Sequence, residues 1–321
     1  MAKVIFTADD YGACDAIDLG IVKAINAGKI NSVACLANAP DLKKRIEFLL
    51  EKTQDRTADI GCHFTLTSGK PLTGGELKWM CNSKGEFKSF TNHQKKKPAG
   101  SFERTKIRAE LELQLQKLRD TGVEVRHLSS HHNVLFWFQP YWDVLIEMAI
   151  HHNLPIRSPL VKPVQDNKKY LTIVGHKSLS KLKGSIRKEI EEFNTKIKGE
   201  FHDIPTAIKN ISPDFADSRA YGPVIRKARD RNIEKIVASK VRSLEMELQQ
   251  ITQFGDCVEF MFHLIDDNFD NLDQVIIDLE SKQMGYNGIK GAYFDRRIAE
   301  YRALMRIEIP EGVKLIRWSD L

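Results

Sequence analysis

The sequence predicts an α/β protein built on a parallel sheet, either open or closed into a barrel. Two observations lead there. Short β-prone runs alternate with apolar stripes of helical period through the first half of the chain, and the runs end in polar residues capable of chemistry. The runs cover residues 4–8, 32–37, 60–66, 123–128 and 154–157. Between them, Leu42, Ile46, Leu49 and Leu50 form one stripe, and Ile107, Leu111, Leu115 and Leu118 form another at spacings of four, four and three residues.

Residues 162–242 are less regular. They carry a charged helix near 182–198 and a proline-containing run, Ile211-Ser212-Pro213-Asp214-Phe215. The alternation then resumes, with a helix over 244–252, a strand over 258–263, a helix around 297–305 and a last strand over 313–318. Residues 70–101 lack periodicity and are rich in Gly, Lys and Asn, so they read as a long excursion near the site. With no internal repeat or low-complexity linker, one domain spanning 1–321 is expected. The excursion and an insert over residues 162–209 would carry specificity.

The composition is ordinary for a globular chain: 42% hydrophobic and 29% charged over 321 residues. The net charge of +6 is scattered, and the dense run Lys95-Lys96-Lys97 lies in a polar stretch. It reads as a solvated loop, and no nucleic-acid partner is expected. Five widely spaced cysteines without a CxxC read as reduced thiols and predict the cytoplasm. The opening residues run straight into a short strand without signal-peptide character, and no apolar run of membrane-spanning length exists.

Four strand ends carry the candidates for chemistry. The run 4–8 ends in Asp9-Asp10-Tyr11-Gly12, and 60–62 ends in His63. The run 125–128 leads to Ser129-Ser130-His131-His132-Asn133, and 258–262 ends in His263. The carboxyl ends of parallel strands are where active sites gather. Each residue also has a plainer reading. Asp9 and Asp10 could cap a helix, His63 could be a satisfied polar residue, His131-His132 could lie at the surface with His151-His152, and His263 could be a buried histidine bonded to backbone. Two adjacent carboxylates nevertheless repel unless a cation or proton lies between them. One carboxylate with two imidazoles suits a divalent ion, which lowers the pKa of bound water toward about 7. The second carboxylate can take that water's proton, and a further histidine can protonate a leaving group or stabilise an oxyanion. This inventory suffices to hydrolyse an amide or ester.

The residues resemble the YdjC-like family of carbohydrate deacetylases. Thr7-Ala8-Asp9-Asp10-Tyr11-Gly12 is similar to the family's opening motif. Gly61-Cys62-His63-Phe64-Thr65-Leu66-Thr67 with Gly69-Lys70-Pro71-Leu72 is similar to its second. His127 to Val134 resembles a third, Val258 to His263 and Arg297-x-x-Glu300 resemble the last elements, and Pro213-Asp214-Phe215 fits a weaker middle motif. The resemblance implies a distorted, TIM-like (β/α) barrel and one divalent ion, magnesium or zinc. The implied reaction removes an acetyl group from an N-acetylated sugar such as a chitooligosaccharide. It gives metal roles to Asp10, His63 and His131, general-base catalysis to Asp9 and a catalytic position to His263. Arg157 and Arg297 become site-lining cations for substrate, a structural salt bridge being the alternative for each. The expected partners are an oligosaccharide or small-molecule substrate and a second copy in a homodimer, with no membrane.

The departures are specific. Ser129 stands where the family has Asp, Asn133 and Leu135 where it has His, and Leu264 where it has Pro. An extended segment would put 127, 129, 131 and 133 on one face, with Ser129 beside His131. Two further readings follow: a weakly active or non-catalytic carbohydrate-binding relative, and a metal-dependent hydrolase of another ester or a phosphodiester.

Overall fold

The computed structural model describes residues 1–53, 57–88, 101–136, 138–158, 188, 192, 214–217, 233–254, 257–266 and 292–321. Strands β1 (Ala2–Tyr11), β2 (Ser32–Cys35), β3 (Asp59–Phe64), β4 (Val125–Ser130), β5 (Asp214–Asp217), β6 (Cys257–Phe262) and β7 (Val313–Leu315) are described. They alternate with helices α1 (Asp15–Asn26), α2 (Leu42–Lys52), α3 (Ser101–Arg119), α4 (Gln139–His152), α5 (Ile233–Phe254) and α6 (Ala292–Arg306). Every described strand pairing is parallel, in the order β4-β3-β2-β1-β6-β5. β7 joins the first residues of β1 (Ala2, Lys3 and Val4), while β2 pairs with Thr7 to Tyr11 further along. Among the described residues no pairing joins β4 to β5, so these strands form a half-barrel.

The apolar runs become strands because both faces of a parallel sheet are covered, which favours continuous hydrophobic segments. Alternation sorts β1. Val4, Phe6 and Ala8 belong to the main core, with Phe6 edge-on to Phe260 and Phe262, whereas Ile5 faces the opposite way and packs on Ile316 and Trp318. Each of the larger side chains among these, such as Val4, Ile5 and Phe6, contributes roughly 1.5–3 kcal/mol when fully buried. The two predicted stripes form the inner faces of α2 and α3: Leu42, Ile46 and Leu49 are buried on α2, and Ile107, Leu111, Leu115 and Leu118 on α3. Leu50 lies outside the first stripe, half exposed.

The predicted strand over 154–157 makes one parallel bridge, Ile156 to Leu128, and the Arg157 N–H donates to the Leu128 carbonyl at 2.9 Å. The excursion after residue 70 is anchored rather than shapeless as far as Lys88. It contains a 3₁₀ segment (Gly74–Met80) and buries Leu77, Met80 and Phe87. Glu110 of α3 holds its entry, accepting from the Leu72 and Thr73 N–H groups at 3.0 and 2.9 Å. Lys95 to Lys97, residues 211–213 of the proline-containing run and the insert over 162–209 lie outside the described residues, apart from helical Lys188 and Glu192. The same holds for the charged helix near 182–198, apart from Lys188 and Glu192. All five cysteines are free thiols, and no helix among the described residues is long and apolar enough to cross a membrane.

Candidate active site

The carboxyl ends of β1, β3, β4 and β6 bring Asp9, Asp10, His63, His131 and His263 together, although the first and last lie 254 positions apart in sequence. Adjacent residues of a regular strand point to opposite faces. Asp9 and Asp10 escape this rule because the β1–β2 register shifts between Ala8 and Tyr11, and Asp10 adopts a left-handed conformation (φ 71°). The bulge turns both carboxylates toward one site, an irregularity that costs roughly 1–3 kcal/mol and is typical of functional positions. Gly12 (φ 93°) completes the turn; a Cβ there would approach Ala39 Cβ to 2.9 Å. Neither carboxylate caps α1, whose N-cap position is Cys14, so the capping alternative is set aside.

Asp10 Oδ1 lies 2.8 Å from His131 Nδ1 and 3.5 Å from His63 Nε2, and its other oxygen accepts from Arg297 Nη2 at 2.7 Å. Among the described residues Oδ1 meets no donor in hydrogen-bond geometry. One ligand atom from each of Asp10, His63 and His131 falls within 4.8 Å of the others. The outer nitrogens are also engaged. His63 Nδ1 contacts Ser129 Oγ at 2.7 Å, and His131 Nε2 contacts Ser68 Oγ at 3.0 Å. With these outer nitrogens protonated, the lone pairs of His63 Nε2 and His131 Nδ1 face Asp10, the tautomer arrangement that metal ligation uses.

The electrostatics agree with a cation. Burial opposes ionisation of Asp10, but His131 and the Arg297 guanidinium outweigh it and hold the carboxyl well below its ordinary value. Burial pushes the His131 imidazole down despite Asp10, favouring the neutral form that ligates. Three carboxylates, Asp9, Asp10 and Glu259, share the two guanidiniums of Arg157 and Arg297, so negative charge is in excess among these groups. A cation suits that excess and the carboxylate–imidazole donor set, so the residues present fit such a group.

Asp9 is held differently. Arg157 Nη1 and Nη2 donate to its two oxygens at 2.7 and 2.8 Å, His63 Nε2 lies 3.7 Å away and His263 Nε2 lies 4.0 Å away. The backbone N–H of His263 donates to Glu300 at 2.9 Å, and its ring is 12% exposed. Both predicted arginines are thus in the site, with guanidiniums directed at Asp9 and Asp10. Sequence reasoning missed the roles of Ser68 and Glu259 beside them, and it set Ser129 against the wrong imidazole. Glu259 alone left a signal: a charge inside an otherwise apolar strand must find a partner. Ser129 sits beside His63, not His131, because β4 ends at Ser130. His132 and Asn133 are left-handed (φ 55° each), which breaks the alternation assumed through residue 133. Asn133 and Leu135 are buried in this turn, with the Leu135 N–H bonded to Ser130 Oγ, and Leu264 is in the core. His132 contacts Thr67 Oγ1 at 2.9 Å.

His151 and His152 lie on the outside as expected, His152 contacting Glu112 at 2.8 Å. A cavity of about 730 Å³ beside Arg119, Arg126, His152 and Trp318 opens at the amino ends of the strands, away from the clustered carboxylates.

Fold and site define a parallel α/β protein that gathers carboxylates and imidazoles around a cation-sized centre at its strand ends. A model of the YdjC-like protein family matches residues 3–314, and the chain belongs to this family. Among similar proteins, a carbohydrate deacetylase of Halalkalibacterium halodurans is 32% identical over 161 residues, covering 50% of this chain and 65% of that protein. A carbohydrate deacetylase of Thermoanaerobacter pseudethanolicus is 32% identical over 164 residues, covering 50% and 63%. The matches therefore span under two thirds of these curated relatives. A crystal structure from Enterococcus faecalis, provisionally named a cellobiose-phosphate cleavage protein, superposes with a TM-score of 0.64 at 19% identity. It covers 99% of this chain and 98% of its own, a likeness of fold.

Proposed function

We propose that the chain is a metal-dependent hydrolase that removes an acetyl group from an N-acetylated sugar, chitooligosaccharide-like or related. One observation carries this reading: two adjacent carboxylates with separate partners. Asp10 faces His63 and His131, while Asp9 stands beside them, clasped by Arg157 and 4.0 Å from His263. Family membership and relatives named carbohydrate deacetylase support the substrate class.

Asp10 Oδ1, His63 Nε2 and His131 Nδ1 would hold magnesium or zinc, which supplies a Lewis acid and a water of lowered pKa. Asp9 Oδ2 accepts the proton of the attacking water. His263 Nε2 gives a proton to the departing nitrogen, so amide and water become acetate and amine. Arg157 keeps Asp9 turned toward the site, a positioning role that its full burial favours over direct substrate contact. Arg297 does the same for Asp10 through its bond to Oδ2, leaving Oδ1 for the ion. A distorted, TIM-like (β/α) barrel is the architecture proposed around this centre.

The test is acetate release from N-acetylated chitooligosaccharides by the protein supplied with zinc or magnesium. Release that stops on chelation and returns with metal is expected. Metal binding without acetate release across a broad panel of acetylated sugars would overturn the reading.

A further inference from the structure

We infer that Glu259 is a positioning residue for the hydrolytic step, acting on Asp9 through Arg157. The inference rests on the base role proposed for Asp9. Glu259 lies on β6 as the register partner of Ile5 on β1, and both it and Arg157 are fully buried. Its Oε1 accepts from Arg157 Nη2 at 2.7 Å and Nε at 3.2 Å, and its Oε2 accepts from Nε at 3.1 Å. The guanidinium is therefore gripped along two edges: the Nε edge by Glu259 and the Nη1/Nη2 edge by Asp9.

The second grip matters because Arg157 does not come from a regular strand. Its backbone is tied to the sheet by the bond to the Leu128 carbonyl and the single bridge at Ile156. A long side chain on such a tether, bonded to one carboxylate, could pivot and carry that carboxylate with it. A planar fork fixed at both edges cannot. Glu259 thus locks the plane of the fork, and the fork sets the direction of Asp9 Oδ2 toward the attacking water. A misplacement of about 1 Å at such a distance from the chemistry costs on the order of 100-fold in rate.

The test compares Glu259→Gln, Glu259→Asp, Glu259→Met, Arg157→Met and the double variant Arg157→Met/Glu259→Met, all zinc-loaded and checked for cooperative melting. Glu259→Gln is expected to lower kcat by about 10–100-fold with KM and zinc stoichiometry unchanged, since it touches neither substrate nor the Asp10 cluster. Glu259→Asp, which keeps the charge, is expected to recover part of the loss. In the Arg157→Met background, Glu259→Met should cost no further kcat, because the residue it acts through is gone. Full kcat in folded Glu259→Gln, or additive losses in the cycle, would overturn the inference. If the unaltered chain releases no acetate, the proposed function fails separately and a crystal structure of Glu259→Gln decides. A displaced Asp9–Arg157 fork supports the positioning role, and an intact one overturns it.

Discussion

At the residue scale, the two carboxylates are neighbours with different tasks, and substitution separates them. His63→Ala and His131→Ala each remove a ligand atom, and Asp10→Asn removes the ligand's charge, so each should abolish tight zinc binding. Asp9→Asn should keep the ion and lose hydrolysis, which metal content and acetate release measured on the same sample will show. The reverse pattern would exchange the two roles. Ser129 is subtler. Its hydroxyl contacts His63 Nδ1 at 2.7 Å, so Ser129→Ala frees the ring to rotate and should weaken zinc affinity by about 10–100-fold. Competition with a chelating dye measures this, and unchanged affinity would remove Ser129 from the ligand's support. Asp9, Asp10, His63, His131 and His263 were legible in sequence because each follows an apolar run. Ser68 was not, since a serine in a turn carries no signal until the fold brings it to His131. Arg157 was legible as a site residue, but its clasp of Asp9 depends on a contact across 148 positions.

At the scale of elements, the strands were legible where apolar runs were bounded by turns, and their ends shifted by only a few residues. β5 (Asp214–Asp217) was not: the sequence there reads as a proline-containing stretch, and four residues with two carboxylates carry no strand pattern. The bulge in β1 was equally hidden, because nothing in Ala8-Asp9-Asp10-Tyr11 marks a register shift. Between β3 and β4 the packing is close enough to test. His127 lies against Gly61, where an added Cβ would come within 2.1 Å of the ring, and stacks on Trp318 at 4.6 Å with an interplanar angle of 9°. A pinned aromatic ring cannot yield, so Gly61→Ala should destabilise the chain by about 1–3 kcal/mol in urea unfolding. Placing His127→Ala in the same chain should recover part of that loss. An unaltered midpoint for Gly61→Ala would contradict this packing.

For the whole molecule, pH links the buried interior to stability. Burial, with Arg157 and His63 nearby, pushes His127 well below the ordinary imidazole range. The unfolded chain takes up a proton near pH 6.5 that the folded chain refuses. The stability from neutral His127 is therefore complete above about pH 6.5 and is lost below it, at about 1.4 kcal/mol per pH unit until the folded group titrates. His131 acts with the same sign. Asp18 opposes both, since burial raises its pKa to about 6 and the folded chain gains a proton there first. His127→Phe isolates one of these groups. Neither ring nitrogen of His127 has a hydrogen-bond partner among the described residues, so the substitution costs no bond. Its stability should fall less steeply than the parent's between pH 6.5 and 5, by about that slope, and equal slopes would contradict the assignment.

The α/β class and the alternation of helix and strand were legible across the molecule, because burial on both sheet faces writes itself into apolar runs. The strand order was not, because it is set by pairing between segments that carry no mutual mark; that distant strand ends would meet was expected from the polar residues closing each run. That meeting is the central claim, and the anomalous scattering of zinc in a crystal of the full chain tests it most directly. A single strong peak about 2.0–2.2 Å from Asp10 Oδ1, His63 Nε2 and His131 Nδ1 is expected. No density there, with zinc instead at the outer group of Glu112, His151 and His152, would contradict it.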